Sequence, residues 1–145
     1  MAFFGVFGES KAVRRIFDTR ASYLYAPVLH FSLDGRMALC YGAEENSFSA
    51  RLYPHLFAAA SAHSSVQLSI ETLVALYQRH GKKLRTHLPF SAAFAVYDSR
   101  CGRLTLGGMG EEKCFLESVE NSLFFSSESY LLRSPITVDL LCINA

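Results

Sequence analysis

At 145 residues, with 50% apolar and 19% charged side chains, the chain amounts to about one domain with material for a real core, which excludes disorder. Fourteen basic against 13 acidic side chains leave a formal charge of +1, too little excess cation for a phosphate backbone, so no nucleic-acid partner is expected. No apolar run approaches the roughly 20 residues of a membrane span, and the start lacks a basic region leading into a long apolar stretch; a soluble, cytoplasmic protein with no membrane partner is expected.

Taken in chain order, Ala2–Phe7 reads as a short buried strand ending at Gly8. Ser10 caps a predicted short helix, Lys11–Asp18, with Val13, Ile16 and Phe17 on one face and Lys11, Arg14 and Arg15 on a solvated one. Ser22–Phe31 is strand-like, and Pro27 assigns it to an edge or a bend. Asp34-Gly35 is a hairpin signal that pairs Val28–Leu33 with Arg36–Tyr41. The alanine-rich stretch Ser47–Ala62 reads as weakly helical, with Pro54 near its middle.

Ser69–His80 is the clearest helix: Ser69 is its N-cap, Leu73, Leu76 and Tyr77 form its stripe, and Gly81 supplies the stop. Strands follow at Phe90–Tyr97, Arg103–Gly107, Cys114–Val119 and Ser122–Ser126, with turns at Asp98–Gly102 and Glu120-Asn121. Short turns between successive strands predict one antiparallel meander. Thr137–Ala145 reads as the capped start of a helix carrying Val138, Leu140, Leu141 and Ile143, the front of a longer protein.

Cys40, Cys101, Cys114 and Cys142 have neither CxxC nor zinc-ligand spacing, so reduced and mostly buried thiols are expected. His30, His55, His63, His80 and His87 include no i, i+4 pair and no HExxH; packing roles are expected and no metal site. Gly107-Gly108-Met109-Gly110 leads into Glu111-Glu112, which would repel phosphate, and reads as a turn. Cys101 has no histidine near it in sequence to activate it.

The stretch ETLVALYQRHG (Glu71–Gly81), then FSAAFAVYDSRCGRLTLG (Phe90–Gly107) and LFFSSESYLLRSP (Leu123–Pro135), resembles the glutaminase domain of asparagine synthetases. The likeness is strongest in the second half of the chain and weaker before Gly42. It implies an α+β fold of the N-terminal-nucleophile-hydrolase kind, an abbreviated four-layer sandwich of two antiparallel sheets between helices. It also implies a cysteine directly after the initiating methionine, whose own α-amine, of intrinsic pKa about 7.7–8.0, serves as the base.

Here that position is Ala2, in the opening Met1-Ala2-Phe3-Phe4-Gly5-Val6-Phe7-Gly8. The family's oxyanion segment, Asn-Gly-Glu-Ile-Tyr-Asn, aligns with Tyr41-Gly42-Ala43-Glu44-Glu45-Asn46: Gly42 and Asn46 are kept, and the oxyanion asparagine is Tyr41. The aspartate that holds the substrate ammonium aligns with Ser69, and only Glu71 of its Ser-Asp-Thr-Glu pattern is kept. The carboxylate-clamping arginine has no assigned counterpart between Arg20 and Pro27. Downstream, the family's arginine-aspartate pair falls on Gly107-Gly108, Lys113 is retained, and Glu128 keeps the acidic place after Ser126-Ser127.

Joint loss of nucleophile, oxyanion donor and substrate anchor reads as decay of the pocket. The resemblance therefore implies no catalytic residue here, a vestigial pocket of Tyr41, Gly42, Asn46, Ser69 and Glu71, and no cofactor in this chain. ATP and magnesium are expected only in an absent synthetase domain. Residues 1–136 are expected to form the glutaminase-like domain and 137–145 the beginning of a helix toward that second domain. The implied function is to brace an asparagine-synthetase-like ligase, as in β-lactam synthetases or lasso-peptide macrolactam cyclases, which use an amine already in the substrate. The expected partner is the C-terminal synthetase domain or another copy of the chain. The alternatives are a free-standing small-ligand or protein-interaction module and a working glutamine amidotransferase.

Overall fold

The computed structural model describes residues 3–9, 11, 27–32, 34–42, 55–61, 70–88, 91–110, 112–119, 122–128 and 132–144. Apolar runs of five to seven residues, punctuated by turns, become strands β1 (Phe3–Phe7), β2 (Pro27–Phe31), β3 (Met37–Gly42), β4 (Leu56–Ser61), β5 (Ala92–Asp98), β6 (Arg103–Met109), β7 (Cys114–Val119) and β8 (Ser122–Ser126). Two further strands, β9 (Ile136–Val138) and β10 (Leu140–Asn144), follow them. Among the described residues these form a six-stranded sheet, β2-β3-β1-β8-β7-β9, and a four-stranded sheet, β10-β6-β5-β4. Every pairing is antiparallel. Helix α1 (Ile70–His80) completes an α+β architecture.

The main core lies between the sheets, where Phe7, Met37, Leu39 and Phe125 meet Phe57, Tyr97, Leu104 and Leu106. A second core forms where Leu73, Val74 and Tyr77 of α1 cover Leu56, Ala58, Ala60 and Phe94 on the other face of the four-stranded sheet. Of the expected helical stripe, Leu73 and Tyr77 are buried and Leu76 is half-buried; Val74 takes the remaining place. On the six-stranded sheet, Phe4, Val6, Ala38 and Phe124, outside the main core, are buried as well, and the Phe4 and Phe124 rings stack at 5.9 Å.

Several expectations hold. Phe31 pairs with Ala38 and His30 with Leu39 across the Asp34-Gly35 hairpin, where Gly35 adopts a φ of 71° that only glycine takes freely. Pro27 begins β2, an edge strand of its sheet, where its missing N–H is tolerated. Gly81 ends α1 at a φ of 58°. The predicted Lys11–Asp18 helix and the Glu120-Asn121 turn lie outside the described residues, Lys11 excepted.

Other expectations are corrected. The Leu56–Ser61 part of the alanine-rich stretch is a strand paired with β5, with Phe57 and Ala59 buried in the main core and Leu56, Ala58 and Ala60 under α1. A short apolar run buried on both faces carries no period that separates strand from helix. The chain also continues past Gly81 as a 3₁₀ helix, Gly81–His87. The four later strands are two hairpins in different sheets, since β5–β6 belongs to the four-stranded sheet and β7–β8 to the six-stranded one.

The expected C-terminal helix is instead β9 and β10, broken at Asp139. Each fills an edge slot, β9 against β7 and β10 against β6. Gly107 makes the second slot accessible, since a side chain there would strike the Asp139 carbonyl; one at Gly108 would strike the Glu112 carbonyl, on the approach to β7. The Gly107-Gly108 pair thus belongs to β6, and the turn proper is Gly110, with a φ of 70°. Glu117, buried in β7, accepts bonds from the Arg133 and Ser134 amides at 3.3 and 3.2 Å and fixes the approach to β9.

Candidate functional site

β1 runs through the middle of the six-stranded sheet, so its two ends define the two ends of the sandwich. At its start, Phe3 is registered with Tyr41 and Phe4 with Ser126. The carboxyl ends of β3 and β8 therefore converge on the position that follows Ala2. Tyr41 and Gly42 close β3, with Val28 and Pro27 of β2 on their other side. Ser126 and Ser127 are buried there, and Ser126 Oγ accepts the Glu128 amide at 3.0 Å.

Glu71 occupies the first turn of α1, in the layer beyond the four-stranded sheet. The last turns of α1 lie over the far end of that sheet, where Tyr77 donates to Asp98 Oδ2 at 3.5 Å. Phe7 meets Tyr97 at the same far end, with ring centroids 5.3 Å apart. The fold thus brings Tyr41 and Gly42 to one end, together with Ser126–Glu128, while Glu71 lies in the helix layer beyond the four-stranded sheet. Ala2, Asn46 and Ser69 lie outside the described residues. Sequence reasoning treated the two serines only as neighbours of Glu128; the signal for their position was the strand-to-helix resemblance around them. Lys113 is exposed ahead of β7.

The opposite end carries a polar latch between the sheets. Tyr97, fully buried on β5, donates to Asp34 Oδ2 at 2.5 Å, while Ser32 Oγ and the Arg36 amide donate to Oδ1 at 2.8 and 3.1 Å. Burial would raise the Asp34 carboxyl; the bonds from Tyr97, Ser32 and Arg36, with the Arg36 charge, outweigh it and hold it below its ordinary value. Burial, followed by the Asp34 bond and charge, pushes the Tyr97 phenol far up. Burial and the Asp98 charge raise Tyr77 to about 12. Asp98 is itself held low, since its bonds to Arg100 overcome its burial. These groups hold the turns together at the end away from the start of β1.

The remaining candidates have packing or surface roles. Cys114 is buried and its thiol is pushed up to about 12 by that burial, so it is not a thiolate at neutral pH. Cys101 is exposed, contrary to the expectation of mostly buried thiols, because it sits at the tip of the β5–β6 turn; Cys142 is half-buried. His80 and His87, seven positions apart, stack with ring centroids at 3.5 Å because the 3₁₀ turn folds one over the other. Among the described residues no three His, Cys, Asp or Glu side chains are grouped to hold a metal ion, and no helix is long and apolar enough to cross a membrane. A depression of about 550 Å³ on the outer side of α1 is lined by Thr72, Ala75, Leu76, Gln78 and Arg79 and includes none of the expected pocket residues.

No family model and no curated protein matches the chain. Solved structures do. Glutamine phosphoribosylpyrophosphate amidotransferase from B. subtilis, complexed with ADP and GMP, is similar over 99% of this chain, with a TM-score of 0.64 and 11% identity. A structure described as the allosteric regulatory enzyme of purine biosynthesis is similar over 99% of the chain, with a TM-score of 0.68 and 12% identity. This chain spans 47% of the length of each. At such identities the likeness concerns the fold alone. The fold is accordingly like that of these amidotransferase structures, in agreement with the coarse α+β arrangement of two antiparallel sheets expected from the sequence.

Proposed function

We propose that this chain is a catalytically inactive glutaminase-like domain that supports an ATP-dependent, asparagine-synthetase-like ligase domain forming amides or lactams. The observation that carries the reading is the start of β1. In a glutamine-amidotransferase-like sandwich this central strand begins one residue after Ala2, and alanine has no thiol with which to form a thioester. Tyr41, where the resemblance expects an asparagine, ends the neighbouring strand, so the side-chain amide of the family's oxyanion hole is missing. Ser69, in place of an aspartate, leaves a substrate ammonium without its counter-charge.

Ligases that take an amine already present in the substrate, such as lasso-peptide cyclases and β-lactam synthetases, need no ammonia and tolerate such a pocket. The similar solved chains are about twice as long as this one, which favours a domain that works beside another. ATP and magnesium belong to that second domain in this reading, and the protein acts in the cytoplasm with reduced thiols. The test is direct: the purified chain incubated with glutamine releases ammonia no faster than a buffer blank. Steady release above the blank would sink the proposal.

A further inference from the structure

We infer that the junction between α1 and the 3₁₀ helix is a binding site for a multiply charged phosphate anion, held by Arg79, Lys82 and Lys83 beside the stacked rings of His80 and His87. This inference stands independently of the ligase reading. Between Glu71 and Asp98 the sequence has no acidic residue, yet positions 79–87 carry Arg79, His80, Lys82, Lys83, Arg85 and His87. The formal charge of +1 therefore conceals one strongly positive segment, since the rest of the chain has more acidic than basic residues. Surfaces of one sign concentrate counter-ions around them.

The segment is open and its cations are unpaired. Arg79, Lys82, Lys83 and His87 are exposed. Among the described residues neither Arg79, Lys82 nor Lys83 forms an ion pair, whereas Arg100 pairs with Asp98 at 3.3 Å. The carbonyl end of α1 attracts Arg79 and His80; Lys82 and Lys83 lie beyond that end and are not explained by it. A side chain added at Gly81 would meet no atom within 4 Å, so the middle of the group is accessible. The backbone beneath is fixed, because Leu84 is fully buried and Arg85 donates from Nε to the Gly108 carbonyl of β6 at 2.7 Å. At about 2 Å of rise per 3₁₀ residue, Lys82 to His87 spans about 10 Å. That length suits a short phosphate chain, whose groups carry more charge and more acceptor oxygens than carboxylates do.

The histidines make the site more than a row of cations. Their rings stack with centroids 3.5 Å apart and planes 5° from parallel, and two imidazolium rings so placed beside Arg79, Lys82, Lys83 and Arg85 would repel each other. The strands beneath add no free carboxylate: β4 has no titratable residue, β6 has only Arg103, and Asp98 of β5 is engaged by Tyr77 and Arg100. Desolvation and the charges of His87 and Arg79 accordingly hold His80 below its ordinary value. A bound phosphate reverses that balance, so binding takes up protons and tightens as pH falls toward the ordinary histidine value of about 6.5.

Calorimetric titration of the folded chain with inorganic tripolyphosphate at low salt is expected to show one site, with net proton uptake at about pH 7 when buffers of different ionisation enthalpy are compared. Lys82→Gln combined with Lys83→Gln alters two exposed side chains, should keep the circular dichroism of the parent and should weaken binding at least about tenfold. Arg79→Gln serves in its place if that variant fails to fold. His80→Gln combined with His87→Gln should abolish the proton uptake. Citrate, a multiply charged carboxylate, should bind at least about tenfold more weakly than tripolyphosphate. The inference is overturned by a parent that does not bind tripolyphosphate, by undiminished binding in a folded cation variant, by binding without proton uptake, or by citrate binding as tightly. Retention on phosphatidylserine vesicles without binding of the free anion would assign the patch to a membrane surface and overturn it as well.

Discussion

Gly5→Ala lowers the melting temperature, by about 2–4 °C for each kcal/mol lost in a domain of this size. Gly5 sits in the central strand, registered with Leu39 on one side and Phe125 on the other. The Phe125 ring lies across it: a Cβ placed there would be 2.5 and 2.8 Å from two ring atoms and closer still to a third. Phe125 is fully buried in the main core, so its ring can retreat only by displacing other core side chains. Overpacking of this kind costs about 1–3 kcal/mol, sometimes more. Replacing glycine within a strand would otherwise favour the fold by about 0.5–1 kcal/mol, so the two effects have opposite signs and the steric one wins. A melting temperature equal to or above that of the parent would show that the ring does not occupy this space.

Tyr97→Ala should cost more, about 3–5 kcal/mol, as large-to-small changes at buried aromatics do. That is a large part of the 5–15 kcal/mol by which domains are typically stable. Tyr97→Phe keeps the packing and removes only the bond to Asp34, worth about 1.5–3 kcal/mol for a charged acceptor. The latch also shapes the response to pH. Asp34 and Asp98 are both held below their ordinary value of 3.8, so their contribution is complete above that value and is lost as pH falls through the lower folded values. Tyr97 and Tyr77 are both raised above 10.0; their neutral forms favour the fold, so this contribution is complete below pH 10 and is lost as pH rises beyond it. Denaturation midpoints across pH should show both limbs. Asp34→Asn should flatten the acid limb and Tyr97→Phe the alkaline one. Unchanged limbs in both variants would remove the latch from the account.

How much of this was legible in the sequence depends on the range of the interaction. The Asp34-Gly35 hairpin, the Gly81 stop and the strands flanking Asp98–Gly102 were all readable, because each is decided by turn chemistry within a few residues. The alanines of β4 misled because alanine favours helix locally, while their burial is decided by the six-stranded sheet on one face and α1 on the other, both remote in sequence. The C-terminal segment failed for the same reason. Thr137 and the apolar residues after it fit a capped helix, but edge slots beside β7 and β6 were invisible without the sheets. The assignment of β5–β6 and β7–β8 to different sheets is likewise tertiary. For the site, the resemblance gave the identities at Tyr41, Gly42 and Glu71, and the strand register placed Tyr41 and Gly42 beside the start of β1. The Tyr97–Asp34 bond joins positions 63 apart, and no local pattern announces it.

The central claim is that this pocket has lost more than its nucleophile. Ala2→Cys tests it most directly, because once Met1 is removed that variant restores both the thiol and the α-amine that would activate it. The measurement is ammonia release from glutamine by the folded Ala2→Cys protein, beside the unaltered chain. The account predicts that the two remain equal to the buffer blank, because Tyr41 and Ser69 still stand where the oxyanion's asparagine amide and the counter-charge of the substrate ammonium are expected. Sustained glutamine hydrolysis by Ala2→Cys alone would contradict it, and would show that the rest of a working glutaminase pocket is intact.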